Sequence, residues 1–394
     1  MVDAATLATV VVAGLASLFM AWAIGAGSSG STPFAPAVGA NAISVMRAGF
    51  IVGILGFAGA VLQGANVSEA VGRELVGGVT LSPIAATVGL SIAAVLVAAG
   101  VFKGYPIATA FTVTGAVIGV GLAMGGDPAW PKYREIGTLW VLTPFAGGGI
   151  AYGTAKTLRD ERVPERVAIP LLAWVVAAIV TNVDFVVLGP AGEAASIAGT
   201  LARSVADGGL AARAGITVGL ALVAAGALAR DVDADPEAGQ RHFLLVLGGL
   251  VAFSAGGSQV GLAIGPMLPL LEPFAVPLTA ALVGGGAGLL VGSWTGAPRM
   301  IKALSQDYSS LGPRRSIAAL IPSFAIAQAA VFFGIPVSFN EIIVSAIIGS
   351  GYAAGGSGVS GRKMLFTVLA WVASLTTAVV AGYVGFLAVG AIVS

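Results

Sequence analysis

The side chains able to do chemistry inside this chain are few, and they gather in two pairs of short stretches. In Ala23–Ser44 (AIGAGSSGSTPFAPAVGANAIS) a long apolar run gives way at Gly25 to glycine, serine, threonine and proline, with no charge. Backbone of this kind cannot face lipid, because each unpaired polar group in hydrocarbon costs several kcal/mol. It suits a cavity in which free N–H groups, Gly30 and the hydroxyls of Ser28, Ser29 and Ser31 meet a polar solute. On this stretch alone a second reading stands level with it, a tight turn whose small residues allow close helix packing. Phe253–Pro266 (FSAGGSQVGLAIGP) repeats the theme and adds Ser258 and Gln259.

The other pair is Gly104–Gly119 (GYPIATAFTVTGAVIG) and Gly334–Gly349 (GIPVSFNEIIVSAIIG), which contribute Thr109, Ser338, Asn340 and Glu341. Gly25 lies 81 residues before Pro106, and Gly256 lies 80 before Pro336. Two interrupted apolar pairs in the same register point to an internal repeat with a binding site near the bilayer midplane. Broken helices there present N-termini, whose free N–H groups and partial positive charge favour an anion.

The elements that hold these residues must be membrane helices. The chain has 394 residues, of which 57% are hydrophobic and 9% charged, and its mean hydropathy is +0.98. Soluble proteins carry roughly 25% charged residues. The 58 glycines suit close helix contacts and broken helices. There is no cysteine, which removes disulfides and thiolate metal sites, and the lone His242 cannot build a metal site. No cofactor and no nucleic-acid partner is expected. The opening MVDAATLATVVVAG has neither a basic start nor a small-residue cleavage site, and reads as the start of the first helix.

About ten to twelve apolar segments follow, judged against the roughly 20 residues that span a bilayer. They are Ala4–Ile24, Ala48–Gly64, Ile84–Phe102, Gly104–Ala123, Thr138–Ala155, Ala168–Leu188, Gly209–Leu228, Phe243–Pro266, Val276–Trp294, Ile317–Gly334, Ile335–Gly349 and Met364–Val393. Val67–Leu75 and the basic Ala297–Arg315 read as surface segments. Asp127–Glu135, Lys156–Arg166 and the acidic Arg230–His242 read as loops. Basic residues in loops on both presumed sides leave the orientation unassigned. The organisation expected is a first repeat at 1–155, connecting helices and loops at 156–242, and a second repeat at 243–394.

These motifs resemble the inorganic phosphate transporter family, which includes sulfate permeases. Its members carry twice a Gly-Ala-Asn-Asp-Val-Ala-Asn type motif, then a Gly-X-Pro-Val-Ser-Thr-Thr-His type motif. Here the first motif resembles Gly25–Ser31 and Gly256–Leu262, and the second matches Pro106–Phe111 and Pro336–Glu341. The resemblance covers about 7–152 and 244–387. It implies an all-α polytopic cell-membrane protein of two inverted-topology repeats with broken or re-entrant helices, assembled as a homodimer. The chain departs from the family at the aspartates, which are Ser28 and Gln259, and at the histidine, which is Phe111 in one copy and Glu341 in the other. With no carboxylate at the aspartate positions, sodium coupling is disfavoured. Gly-Ser-Ser-Gly-Ser is similar to the sulfate permease branch.

Three acidic residues stand in apolar stretches, Glu341, Asp184 and Glu272, and each is either functional or a structural ion pair or interfacial group. Glu341, beside a broken-helix proline, is the candidate coupling group. A neutral Glu avoids like-charge repulsion with the anion, so proton uptake there favours anion binding. The function expected is secondary-active, proton-coupled transport of a tetrahedral oxyanion, with sulfate ahead of phosphate. Sulfate only accepts hydrogen bonds, and Ser28, Ser29, Ser31, Thr109, Ser258, Gln259, Ser338 and Asn340 all donate. The alternatives are a sodium- or proton-coupled phosphate transporter and a passive anion channel. An enzyme is not expected, because no carboxylates cluster for a metal.

Overall fold

The computed structural model describes residues 4–190, 193–205, 208–308, 311–353, 355 and 359–393. Its helices are α1 (Ala4–Ile24), α2 (Ala35–Gly39), α3 (Val45–Gln63), α4 (Ala65–Arg73), α5 (Pro83–Lys103), α6 (Thr109–Ala123), α7 (Trp130–Arg159), α8 (Glu165–Asn182) and α9 (Ile197–Val205). They continue as α10 (Leu210–Ala234), α11 (Pro236–Ile264), α12 (Leu268–Leu271), α13 (Leu278–Thr295), α14 (Ala297–Gln306), α15 (Pro313–Phe333), α16 (Phe339–Tyr352) and α17 (Gly361–Val393). Two short antiparallel strand pairs accompany the helices: β1 (Val76–Gly77) pairs with β2 (Asp127–Pro128) across α5 and α6, and β3 (Asp184–Phe185) with β4 (Ala195–Ser196). Among the described residues nine helices are long and apolar enough to cross a membrane, and α6, α7 and α16 pack among them. The chain is an all-α multi-pass membrane protein. Large apolar side chains such as Leu15, Phe145 and Val223 are exposed on its outside, as a lipid-facing surface requires.

Local chemistry sets where the helices start and stop. Ser82 caps α5, its hydroxyl accepting from Ala85 N at 3.2 Å, and Asp235 caps α11 by accepting from Glu237 N and Ala238 N. Each cap is followed by a proline at the first helical position. The stops of α5 and α15 are twins. Gly104 (φ 72°) and Gly334 (φ 64°) take the left-handed conformation, and the next amides, Tyr105 N and Ile335 N, donate back to Gly100 O and Ala330 O at 2.9 Å. A short extended segment follows each stop and leads into the buried half-helices α6 and α16.

The helices of the two ends of the chain are interleaved. α1 packs on α13 and α3 on α11, while α6 packs on α17 and α16 on α7. Glycine makes these crossings possible by letting backbones touch. A Cβ on Gly25 would lie 2.1 Å from Leu289 O, one on Gly256 would lie 1.8 Å from Gly56 O, and one on Gly349 would lie 2.0 Å from Gly148 O.

Several segment boundaries differ from the sequence reading. Asp127–Glu135 is not one loop, because α7 starts at Trp130. Lys156–Arg166 and Arg230–His242 are mostly helix ends, with Asp235 the one break between α10 and α11. Val67–Leu75 is helical as far as Arg73, and one face of that helix is buried through Val67, Ser68, Ala70 and Val71. The first serine-rich stretch breaks as expected: α1 gives way to a π-helical turn at Gly25–Ser29, and the chain turns before α2. The second does not break where expected. α11 stays α-helical through Ser258 to Ile264, and the change to a 3-10 turn comes only at Gly265–Met267. The reason is packing: Gly256, Gly257 and Gly261 are spent on close contacts with α3 and α4, and so leave the helix intact.

Adding a side chain at one of these crossings is therefore costly. Gly256→Val is expected to lower the melting temperature of the purified protein by 10 °C or more, or to abolish folding, since overpacking costs about 1–3 kcal/mol or more. Gly226→Ala, with open space around it, should leave melting unchanged. Equal melting of the two variants in a fluorescence-detected thermal ramp would contradict the backbone-contact account.

Candidate functional site

Four elements meet where the serine-rich turn, α11 and the starts of α6 and α16 converge. Gln259 on α11 sits at the centre. Its Oε1 accepts from Ser28 Oγ at 3.2 Å and from Thr109 Oγ1 at 2.7 Å, and its Nε2 donates to Val337 O at 2.6 Å. The Thr109 and Ser28 hydroxyls are also 3.5 Å apart. Asn340, at the start of α16, donates through Nδ2 to Gly27 O at 2.9 Å and to Ile107 O at 2.7 Å. Two amide side chains thus tie the turn after α1 to the entries of both half-helices. Two tryptophans brace the same entries from outside: Trp140 Nε1 donates to Pro336 O at 2.9 Å, and Trp371 Nε1 to Pro106 O at 2.8 Å.

The half-helix starts are buried and uncapped. Neither α6 nor α16 has a side-chain cap, and the amides of Thr109, Ala110 and Phe111, with those of Phe339, Asn340 and Glu341, find no acceptor among the described residues. All six residues are buried. A helix start enclosed without partners is a ready anion site, since its N–H groups and dipole both favour negative charge. Around it, Ser29 Oγ, Ser258 Oγ, Ser338 Oγ, Asn340 Oδ1 and Glu341 Oε2 are buried and have no hydrogen-bond partner in the protein. Buried polar atoms are rarely left so.

The expected donors therefore divide. Ser28, Thr109 and the Asn340 amide spend their donors inside the frame, and Gln259 gives it both acceptor sites of Oε1 and one of its two Nε2 hydrogens. Ser31 Oγ turns back to Ser28 O at 3.2 Å, and Gly30 is held by packing, since a Cβ there would lie 2.0 Å from Gly25 O. Ser29, Ser258 and Ser338 keep their hydroxyls free. Asn340 presents an acceptor, and its orientation is fixed because both amide hydrogens point at carbonyls. Glu341 is 1% exposed and lines a cavity of about 820 Å³ together with Phe111, Trp140 and Trp371. Ser28, Ser29, Thr109, Ser258, Gln259, Ser338 and Asn340 do not line that cavity. Glu272 pairs with Arg73, and Asp184 lies exposed in a surface hairpin, so both take the structural reading. His242 pairs with Asp231 on the surface at 2.7 Å.

Sequence reasoning missed the bracing tryptophans, although Trp140 stands 34 residues after Pro106 and Trp371 stands 35 after Pro336, so extending the repeat would have found them. It also missed Thr32, whose hydroxyl donates to Ser28 O at 3.0 Å, and the buried trio Gln63, Ser254 and Gln328. Isolated amides on apolar helices give no pattern to read.

Comparison with known proteins agrees with this architecture. The model of the phosphate transporter family matches residues 24–382. A protein of Pyrococcus abyssi that carries the provisional name of phosphate permease is 27% identical over 387 residues, covering 92% of this chain and 93% of its own. The chloroplastic inorganic phosphate transporter 2-1 of Arabidopsis thaliana is 24% identical over 414 residues, covering 92% and 69%. A solved structure named as the sodium-dependent phosphate transporter shares the fold, with a TM-score of 0.82 at 22% identity over 98% of this chain and 100% of that one. The expectation of sulfate finds no support in these matches, which favour the phosphate alternative.

Frame and free groups should separate experimentally. Gln259→Ala leaves two hydroxyls and a carbonyl unpartnered, at about 1–3 kcal/mol for each group, and is expected to lower the melting temperature clearly. Ser338→Ala removes no protein bond, so its melting should match the unmodified protein while phosphate affinity falls about tenfold, as read by calorimetric titration. Reversal of that order would show the assignment of frame and free groups to be wrong.

Proposed function

The chain belongs to the phosphate transporter family, a family of membrane anion transporters, and on that premise we propose that it carries inorganic phosphate across the membrane by secondary-active transport. The observation that carries the reading is the pair of buried, uncapped half-helix starts held together by Gln259 and Asn340. Six free amides and three free serine hydroxyls suit a tetrahedral oxyanion. Asn340 Oδ1 favours phosphate over sulfate. Near neutral pH phosphate keeps a proton and can donate to that oxygen, whereas sulfate would leave it unsatisfied.

The twin helix stops, the two bracing tryptophans and the interleaved helix pairs support two inverted repeats, at 1–155 and 243–394, joined by 156–242. Arg159, Arg241, Arg314 and Arg315 gather at one end of the molecule around a single cavity. The positive-inside tendency makes that end cytoplasmic and places β3 and β4 outside. For coupling, Glu341 is the carboxyl at membrane depth in this reading, and we assign it the coupling proton. The structural neighbour is sodium-dependent by name, so both cations belong in the test.

In proteoliposomes, labelled phosphate uptake should saturate and accumulate against its own gradient. Unlabelled phosphate should compete at least tenfold better than sulfate. An inward proton gradient should drive uptake, and Glu341→Gln should abolish that drive while phosphate binding persists. Equal competition by sulfate would overturn the substrate. Drive by sodium alone, or proton-driven uptake unchanged in the variant, would overturn the coupling. Uptake that only equilibrates would make the protein a channel.

A further inference from the structure

A further cavity, of about 850 Å³, lies between α3, α8, α10, α13 and α15 on the side of β3 and β4; most of its lining is apolar, and the polar part includes Gln63, Asn66, Asn182 and Gln328 with the carboxylates of Asp184 and Glu193 toward its mouth. From it a hydrogen-bonded column runs inward. Gln63 Nε2 donates to Asp184 O at 3.0 Å, while Gln328 Nε2 donates to Gln63 Oε1 at 3.2 Å and to Ser254 Oγ at 2.6 Å. Gln63, Gln328 and Ser254 are 5%, 7% and 0% exposed. Ser254 stands one helical turn before Ser258, on the same face of α11, and the Ser258 hydroxyl is among those without a protein partner.

The column has no counterpart in the other half. Ser254 is two residues before Gly256, and the residue two before Gly25 is Ala23. Gln328 is six before Gly334, and the residue six before Gly104 is Ala98. Gln63 precedes the capping Gly64 of α3 as Thr295 precedes Gly296 of α13, but Thr295 Oγ1 is taken up by Trp22 Nε1 at 2.9 Å and Val291 O at 2.7 Å. A polar amide at membrane depth carries a cost that calls for a reason. Interhelical glue alone would enclose such groups, whereas Gln63 and Gln328 open onto the cavity.

We propose that this cavity is the aqueous entrance through which the anion reaches Ser258 from the face bearing β3 and β4, with Gln63, Gln328 and Ser254 as the polar steps on the way. The proposal rests on the transport reading above. The space has room for roughly 28 waters at about 30 Å³ each, enough for a hydrated ion, and neutral amides hand an anion on without trapping it.

The chain has no cysteine, so one introduced thiol reports without background. Gln328→Cys, and Asn182→Cys as a second position, are treated with charged, membrane-impermeant methanethiosulfonates on the face bearing β3 and β4. Both should label within tenfold of the rate of the exposed control Asp184→Cys. Millimolar phosphate should slow labelling at position 328 at least threefold, and labelling there should remove most phosphate uptake. Ala98→Cys should stay unlabelled from that face. Reaction of Gln328→Cys with an apolar maleimide but with neither charged reagent means a lipid-filled cavity and overturns the proposal. So does labelling that phosphate does not slow while the unmodified protein imports phosphate. Failure of the unmodified protein to import phosphate is a separate outcome that sinks the transport reading, and the charged reagents still report whether the cavity holds water.

Discussion

Every backbone polar group inside a bilayer must find a partner, and this chain keeps that rule nearly everywhere in order to break it in one place. The long helices satisfy their own amides, and the tryptophans satisfy the proline carbonyls ahead of α6 and α16. Among the described residues, most of the buried side-chain atoms without a partner gather around the uncapped starts of α6 and α16, with Thr114 Oγ1 further along α6. Isolated orphan donors in hydrocarbon would destabilise the fold. Collected in one spot they form a cradle for a charged solute, whose arrival completes the hydrogen bonding that the protein leaves open.

Much of this was legible in the sequence, for a physical reason in each case. Composition settles the membrane class, since 9% charged residues cannot cover a soluble surface. The glycine and proline spacing locates the broken segments, because only a few residue types tolerate a stop such as Gly104 or Gly334. The pattern also puts Ser28, Thr109, Gln259 and Asn340 in paired motifs, and the fold brings those motifs together.

Hydrogen-bond roles were not legible. A serine or glutamine in a motif reads as a donor, yet whether that donor faces a solute or a neighbouring carbonyl depends on helix rotation by tens of degrees. Gln259 spends its Oε1 and one Nε2 hydrogen on the protein, while Ser258, one residue earlier, keeps its hydroxyl free. The same ambiguity hid the fate of the second glycine-rich stretch. Gly256 and Gly261 signal a break as readily as a close crossing, and which holds is decided by the partner backbone on α3 and α4, far away in sequence.

The interleaving of the two ends also bears on how the protein is made. α6 is complete at Ala123, but the helix that covers it, α17, begins only at Gly361. On the ribosome, the first half waits with its glycine-lined face at Gly115 and Gly119 uncovered until the last helix is inserted. A truncation that removes only α17 would strip the support from the anion cradle's first wall, including the tryptophan that holds Pro106, although no residue of the cradle itself would be lost.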